Sequence, residues 1–163
     1  MRELVLFIPS IESGGVEKNL FLLLSYLAKR IKKIHLITSN FHIKKSQLGK
    51  NINVIKPSSW WSNKNRIFKY FICSVLLLKY FLGRKIIILS FQANVFATII
   101  SLFLRAKIII RLNTSPDKYI NNFFKKKFFK LFYSFADEII VNSYLFKKIL
   151  KKDFKLSSKC IYN

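Results

Sequence analysis

The chain has 163 residues, enough for one domain with a hydrophobic core, and 52% of them are hydrophobic. Thirty lysines and arginines against seven acidic residues give a formal net charge of +23. This balance indicates a polyanionic partner, which is nucleic acid, an anionic membrane or a phosphorylated ligand. Codon bias is a competing explanation, because Lys, Ile, Asn and Phe all have AT-rich codons and all are abundant here.

The cysteine content and the N-terminal sequence predict that the protein is located in the reducing cytoplasm. Cys73 and Cys160 are far apart in sequence and show no C-x-x-C spacing, so neither a metal site nor a redox pair is indicated. A strand is predicted almost from the first residue, which is unlike an export signal.

The chain opens with a pattern of strand, glycine loop, helix and strand. The apolar runs Leu4–Ile8 and Ile34–Thr38 flank a helical pattern from Val16 to about Arg30, which predicts one βαβ unit. Gly14 and Gly15 precede the helix, where they allow a ligand to approach the backbone at the positive end of the helix dipole. Phosphate suits this geometry, and a simple turn is the alternative. The G-x-G-x-x-G and G-K-[ST] spacings are absent, which argues against a nicotinamide enzyme or an ATPase.

A short strand, a tryptophan loop and a helix are predicted next. Asn51–Ile55 reads as the third strand, and Trp60 and Trp61 follow it in a loop. The two tryptophans either pack over the sheet edge or form a platform for a sugar or a lipid. A helix is predicted over Asn63–Leu82, ended by Gly83. Five apolar residues recur along it at helical spacing: Ile67, Phe71, Val75, Leu78 and Leu82.

The segment from Ile86 to Leu104 contains no charged residue and approaches the length of a membrane span. Several polar residues interrupt it, and Ser90-Phe91-Gln92 reads better as a loop between a strand, Ile86–Leu89, and a helix, Ala93–Leu104. A strand and a helix are therefore predicted here in place of a span.

The next strand, Lys107–Arg111, is apolar in its middle, as buried parallel strands are. It runs into a polar loop that contains Asn113. Ligands bind outside the carboxyl ends of strands in open α/β sheets. Arg111, Asn113 and the earlier Asn94 are therefore candidate substrate-binding residues.

A helix with an unusual composition is predicted over Lys118–Ala136. One apolar face is formed by Phe124, Phe128, Leu131 and Phe135, and it is broadened by Phe123, Phe129 and Phe132. Such a face either packs on the sheet or lies on a membrane surface. In the second case four lysines would face the membrane: Lys125, Lys126, Lys127 and Lys130.

The last predicted elements are a strand, Glu138–Val141, and a helix, Ser143–Lys152. About six strands thus alternate with helices, which predicts a doubly wound, mostly parallel, Rossmann-like α/β sheet. No Ser/His/Asp set, catalytic carboxylate pair or metal cluster is present, and the catalytic residues stay unknown. His35, in a strand, and His42, in a basic loop, are interpreted as structural or solvent-facing.

Three segments together resemble the N-terminal domain of family 4 glycosyltransferases. The first extends from Phe7 to Thr38 and includes Gly14-Gly15-Val16-Glu17, the second is Phe135–Ser143, and the third is Ile161–Asn163, which is similar to the start of the family's interdomain linker. The resemblance covers nearly the whole chain. The order and spacing of the segments carry it.

The resemblance implies a GT-B enzyme of two domains. Residues 1–163 would be the N-terminal, acceptor-side domain, and the nucleotide-sugar domain with its E-x7-E motif would lie outside this chain. It implies retaining transfer of a sugar from a nucleotide-sugar to a lipid-linked or cell-envelope glycan acceptor, without a metal or another cofactor. Gly14 and Gly15 would lie near the donor phosphates or the acceptor. Many members have a histidine about where Asn113 stands, with Arg111 two residues before it.

Two classes of function remain open on the sequence. The first is this half of a glycosyltransferase, cytoplasmic and peripheral at the inner face of an anionic membrane. The alternative is a basic Rossmann-like module that binds anionic lipid or nucleic acid without chemistry.

Overall fold

The computed structural model describes residues 3–11, 15–40, 48–114 and 122–162. In chain order the elements are β1 Glu3–Phe7, α1 Gly15–Ala28, β2 Ile34–Ile37, β3 Ile52–Ile55, α2 Arg66–Phe81, β4 Ile86–Ser90, α3 Asn94–Leu104, β5 Lys107–Leu112, α4 Phe123–Ser134, β6 Glu138–Val141, α5 Tyr144–Ile149 and β7 Lys159–Cys160. A 3-10 turn, Ser59–Asn63, precedes α2, and a π-helical turn, Leu150–Phe154, continues α5.

The strands form one seven-stranded sheet in the order β3-β2-β1-β4-β5-β6-β7, and every pair is parallel. The predicted Rossmann-like architecture is therefore confirmed. The sequence count of about six strands missed β7, which has only two residues and pairs with Ile140 and Val141 of β6. Two residues are too few to give a periodic signal.

Two apolar cores lie on opposite faces of the sheet. On one face α1 packs Leu20 and Leu24 against Leu6 and Leu36. On the other face α2, α3, α4 and α5 pack against alternate residues of the same strands, such as Ile88 and Ile110. The two sets alternate along each strand because successive side chains point to opposite faces.

Helix α2 begins later than the sequence pattern indicated. The Asn65 side chain accepts a hydrogen bond from the backbone N–H of Phe68 and caps a helix that starts at Arg66. Its buried residues include Cys73, Leu77 and Phe81. Most of the predicted apolar series is exposed on the outer side of the helix: Ile67, Phe71, Val75 and Leu82. Gly83 ends the helix as predicted, with a φ of 77° that favours glycine.

Helix α4 also turns apolar residues outward. Asn122 caps it by accepting from the backbone N–H of Lys125 at 2.8 Å, so the helix starts at Phe123, and residues 115–121 lie outside the described part of the chain. Tyr133 is its buried residue. The four residues of the predicted apolar face are all exposed: Phe124, Phe128, Leu131 and Phe135. The helix does pack on the sheet, one of its two interpretations, but through Tyr133 and the half-buried Phe129 and not through these four residues.

The uncharged segment from Ile86 to Leu104 is divided into β4 and α3, as expected. Across the described ranges, no helix has both the length and the apolar character needed to cross a membrane. The tryptophan loop forms the 3-10 turn before α2, where Trp60 is exposed and meets Trp61 edge to face at 4.9 Å. His35 is buried within β2, as the structural interpretation expects, and His42 lies outside the described residues.

Candidate functional site

The candidate site lies where the direction of strand order reverses. Strand β1 has β2 on one side and β4 on the other, so the helices that follow β1 and β4 cover opposite faces of the sheet. The loops that leave the carboxyl ends of such strands separate and open a crevice, which is the usual ligand position in this fold. The N-termini of α1 and α3 both lie at this edge.

Hydrogen bonds between loops fix the crevice. The backbone N–H of Phe91 donates to Phe7 O at 3.0 Å, and that of Ser10 donates to the Gln92 side-chain oxygen at 3.2 Å. On the other side of β1, the Ser39 hydroxyl donates to Pro9 O at 2.6 Å. The loop after β1 is thus held from both neighbouring strands as far as its described part extends.

Asn94 ties the loop after β4 to the end of β5. Its Nδ2 donates to Arg111 O at 3.2 Å, and its Oδ1 lies 2.7 Å from the Ser90 hydroxyl. Because a carbonyl oxygen can only accept, this contact fixes which end of the amide is the donor. Asn113 acts similarly, since its Nδ2 donates to Phe91 O at 2.9 Å. Both amides therefore position backbone around the crevice.

A cavity of about 690 Å³ occupies the crevice. Its walls carry six aromatic side chains: Tyr70, Phe91, Phe96, Phe128, Phe129 and Tyr133. Its polar lining is formed by Gln92, Asn94, Asn113 and Thr114. Among the described residues that line it, the charged ones are Arg66 and Arg111, and none is acidic. A mostly apolar pocket with a few convergent polar groups is the usual form of a small-molecule site.

Arg111 brings a buried positive charge to this cavity. It lies in β5, is only 8% exposed, and its guanidinium carbon is 5.6 Å from the centroid of the Phe91 ring. Burial lowers the pKa of Arg111 from its ordinary value, because removal of water disfavours the charged form. Arginine nevertheless stays protonated in proteins, so the cation is present and suits an anionic ligand.

The N-terminus of α3 adds to the positive potential. Ala93 precedes the helix with a φ of 54°, in the left-handed region, and gives it no side-chain cap. Helical N–H groups of the first turn have no partner within the helix and lie at the positive end of its dipole. A left-handed conformation at a residue with a Cβ costs about 1–2 kcal/mol, so tertiary packing imposes this turn.

The structure places three of the five predicted substrate-binding residues together, because Asn94, Arg111 and Asn113 all line the cavity. Gly15 is the exposed first residue of α1, next to the cavity residue Val16, and a Cβ added to it would meet no atom of the described residues within 4 Å. Gly14 lies outside the described residues. Binding of substrate by any of the five stays a prediction.

The four lysines predicted to face a membrane lie on α4, outside the cavity lining. Three of them, Lys125, Lys127 and Lys130, are exposed. Lys126 is turned toward the end of α5, where its Nζ lies 3.6 Å from an Asp153 carboxylate oxygen. Among the described residues, no group of three or more His, Cys, Asp and Glu is placed to hold a metal ion.

Sequence reasoning missed the contribution of α2 to the cavity. Arg66 and Tyr70 lie one helical turn apart and both reach the cavity, and the Tyr70 ring meets that of Phe96 at 5.9 Å. The spacing of four residues places both side chains on one face of a helix. This spacing shows that Arg66 and Tyr70 share a face of α2. That the face borders the cavity follows only from the packing of α2 against α3.

The fold is similar to solved structures of larger proteins. The Anabaena protein Alr3699/HepE, solved in complex with UDP-glucose, matches the whole chain with a TM-score of 0.71 and 17% identity, and the chain spans 44% of its length. Glycyrrhiza uralensis UGT73P12, complexed with glycyrrhetinic acid 3-O-monoglucuronide, matches 98% of the chain with a TM-score of 0.58 and 10% identity, over 48% of its own length.

Phytolacca americana UGT2, complexed with UDP-2fluoro-glucose and pterostilbene, matches the whole chain with a TM-score of 0.54 and 11% identity, over 54% of its length. A scan against protein-family models and a search of curated protein sequences each found no match. At these identities the likeness shows the fold. The chain has the Rossmann-like architecture found in domains of GT-B glycosyltransferases.

Proposed function

We propose that this chain is the acceptor-side domain of a glycosyltransferase that takes its sugar from a nucleotide-sugar. The observation that carries the proposal is the cavity beside the carboxyl ends of β1 and β4, where the strand order reverses. The fold around it matches a protein solved in complex with UDP-glucose over the whole length of this chain. The chain spans about half the length of each neighbour, so a nucleotide-sugar domain would complete the enzyme. We also propose, from the resemblance to family 4, that transfer is retaining and needs no metal.

The cavity suits an acceptor with an apolar part and an anionic part. Its aromatic walls can bury an isoprenoid or stack on a sugar ring, whereas Arg66 and Arg111 can hold a phosphate. A lipid-linked phosphate or a lipid-linked envelope glycan has both parts. We therefore favour a lipid-linked acceptor over a free sugar.

The cavity residues would act through position and charge. During transfer the bond between the sugar C1 and the diphosphate oxygen breaks and a bond from an acceptor oxygen to C1 forms. Negative charge grows on the leaving diphosphate, which takes up the proton of the acceptor oxygen when that oxygen belongs to a hydroxyl. The Arg111 cation, together with the α3 N-terminus, would stabilise negative charge at this edge of the sheet. Asn94 and Asn113 would keep the surrounding backbone in place.

A ligand-binding experiment on the isolated chain tests this assignment. Geranyl phosphate, a short and water-soluble isoprenyl phosphate, should raise the melting temperature of the chain, and the increase should grow with the logarithm of its concentration above the Kd. UDP-glucose at the same concentration should raise it much less, because its main site would lie on the other domain. Stabilisation by UDP-glucose without stabilisation by geranyl phosphate would overturn the acceptor-side assignment.

A basic module without chemistry is the second candidate, and the net charge of +23 favours it. Such a module would bind duplex DNA with an affinity that falls steeply with salt, because bound lysines release counterions. An electrophoretic mobility shift at 50 and 200 mM salt measures this. Submicromolar DNA binding at the higher salt would favour the module, and its absence would favour the glycosyltransferase domain.

A further inference from the structure

Three neighbouring helices on one face of the sheet carry large apolar side chains on their outer sides. Helix α3 lies between α2 and α4 and packs against both. The exposed apolar residues of this layer are Ile67, Phe68, Phe71, Val75 and Leu82 on and just after α2, Leu102 and Phe103 on α3, and Phe123, Phe124, Phe128, Leu131 and Phe135 on and just after α4. We call these residues the outer apolar surface. They include seven phenylalanines, of which Phe103 is 70% and Phe124 is 82% exposed.

Single exposed apolar residues are ordinary, but a concentration of them on adjacent elements marks an interaction surface. The inner sides of the same helices are already packed on the sheet, through residues such as Leu77, Ala97 and Tyr133. Folding of the described part of the domain therefore does not bury the outer apolar surface. A partner is needed to cover it.

The charge around this surface indicates which partner covers it. None of the three helices contains an aspartate or a glutamate, whereas α2 and α4 together carry seven lysines and arginines: Arg66, Lys69, Lys79, Lys125, Lys126, Lys127 and Lys130. A second copy of the chain would bring another strongly basic surface into contact with this one, and like charges would oppose the pairing. An anionic surface complements it.

We propose that the outer apolar surface docks on an anionic phospholipid bilayer, with the phenylalanines in the headgroup region and the lysines of α4 on the lipid phosphates. Amphipathic helices with aromatic residues beside lysines bind membrane surfaces in this manner. Lys125, Lys127 and Lys130 are exposed and available for this contact. We leave Lys126 out of the docking set because Asp153 already holds it.

The docked orientation also gives a route for an acceptor, and this step rests on the proposed function. Phe128 belongs to the outer apolar surface and also lines the cavity. Tyr70 of α2 and Phe96 of α3 line the same cavity from the other two helices of the layer. An acceptor anchored in the bilayer would therefore reach the cavity beside Phe128 without its lipid part crossing open water.

Vesicle co-sedimentation of the whole chain tests the docking independently of any sugar transfer. Vesicles of phosphatidylcholine with 30% phosphatidylglycerol should bind the chain, and vesicles of phosphatidylcholine alone should bind it about 100-fold more weakly, because each lysine near an anionic surface contributes about fivefold. The variant Lys125→Gln/Lys127→Gln/Lys130→Gln should show the same loss. The matched control, Lys18→Gln/Lys29→Gln/Lys32→Gln, removes three exposed charges from the α1 side of the sheet and should bind nearly as the native chain does.

The aromatic part of the proposal needs its own pair of variants. Phe103→Ser/Phe124→Ser removes two outward rings that do not line the cavity and should weaken binding about tenfold or more. Leu22→Ser/Tyr26→Ser removes two comparably exposed residues, 67% and 54%, from α1 and should leave binding unchanged. Circular dichroism of all four variants checks that each is folded.

Three results would overturn the proposal. The first is no sedimentation with anionic vesicles by a folded native chain. The second is an equal loss in the α1 control variants, which would mean nonspecific adhesion. The third is concentration-dependent dimerisation in analytical ultracentrifugation that Phe103→Ser/Phe124→Ser abolishes, since the surface would then be an interface between copies. Binding that is selective for anionic vesicles and is lost only in the α2–α4 layer variants supports docking.

Discussion

At the edge of the sheet where the strands begin, Glu3 and His35 bind each other, whereas at the edge where the strands end, Arg111, Asn94 and Asn113 surround a cavity. His35 Nε2 lies 2.6 Å from Glu3 Oε2, and Asn53 Nδ2 lies 3.4 Å from His35 Nδ1. Because an ionised carboxylate can only accept, the hydrogen bond at Nε2 is donated by His35 to Glu3.

The comparison separates two uses of polar side chains in this sheet. At the first edge the polar atoms are matched to one another, and the His35 ring also meets Phe81 edge to face at 4.9 Å. At the second edge the amides hold the backbone while Arg111 remains at the cavity wall. We infer that the first edge contributes stability and the second contributes binding. The following predictions test that division, from the largest expected effect to the smallest.

His35→Ala should lower the free energy of unfolding by about 2–4 kcal/mol, because it removes a part-buried hydrogen bond to a carboxylate and leaves a void where the buried imidazole packs beside Phe81. Urea denaturation measures the change. Lys33→Ala, which removes an exposed partner 3.5 Å from Glu3, is the control and should cost less than about 0.5 kcal/mol. The division fails if His35→Ala leaves stability intact but abolishes binding of geranyl phosphate.

Arg111→Met should weaken binding of geranyl phosphate about 10- to 100-fold, the usual effect of losing a charged hydrogen-bond donor. Its free energy of unfolding should change by less than about 1 kcal/mol or should rise, because an apolar side chain replaces a buried cation. Calorimetric titration and urea denaturation give the two numbers. The same substitution at the other edge, Arg84→Met, removes a guanidinium 4.0 Å from Glu3 and should leave binding unchanged. Equal affinity of Arg111→Met and the native chain would remove Arg111 from the site.

Two glycine substitutions should have different effects, one on the stability of the fold and the other on ligand binding. Gly83→Ala should destabilise the fold by about 1 kcal/mol, because its φ of 77° disfavours a side chain, and should not affect binding. At Gly15 a Cβ would meet no described atom within 4 Å, so Gly15→Val should leave the melting temperature nearly unchanged while reducing binding of geranyl phosphate. The binding site does not extend to α1 if the Gly15→Val variant binds normally.

Glu3→Gln should change how stability depends on pH. The hydrogen bond from His35, with the charge of Lys33, holds the pKa of Glu3 below its ordinary value of 4.5. A depressed folded-state pKa stabilises the protein above the unfolded pKa, and this stabilisation is lost as pH falls through the folded pKa. The native chain should therefore lose more stability than Glu3→Gln as pH falls from about 5 to 3, measured by thermal unfolding at constant ionic strength. If the melting temperatures of the two proteins fall equally with pH, Glu3 and His35 do not contribute stability in the way proposed here.

The alternation of strands and helices and the parallel sheet followed from sequence, but the strand order and the facing of two helices did not. Apolar runs such as Ile86–Leu89 predict buried strands, and the carboxyl ends of parallel strands meet at one edge, which brought Arg111 and Asn113 together in the prediction. Helical periodicity finds an apolar stripe without showing which side faces the sheet. Both sides of α2 and of α4 are apolar, and the periodicity selected the outer side. Phe71 and Phe124, which belong to the predicted apolar faces, are therefore exposed.

The rest of the cavity depends on contacts between elements. Arg66 and Tyr70 enter it because α2 packs beside α3, a relation that no local pattern contains. Ala93 has no sequence signal for its left-handed conformation, which the tertiary structure imposes on it.

The central claim, that the cavity at the strand ends is the acceptor site, is tested most directly by locating a bound acceptor analogue. A geranyl phosphate analogue with a photoreactive benzophenone at its apolar end would be irradiated with the chain, and the labelled residues identified by mass spectrometry. We predict labelling on Tyr70, Phe96 or Phe128 that unlabelled geranyl phosphate prevents and that Arg111→Met reduces. Labelling confined to another pocket, which is lined by Lys147, Lys151 and Lys155 and lies away from the cavity residues, would contradict the claim.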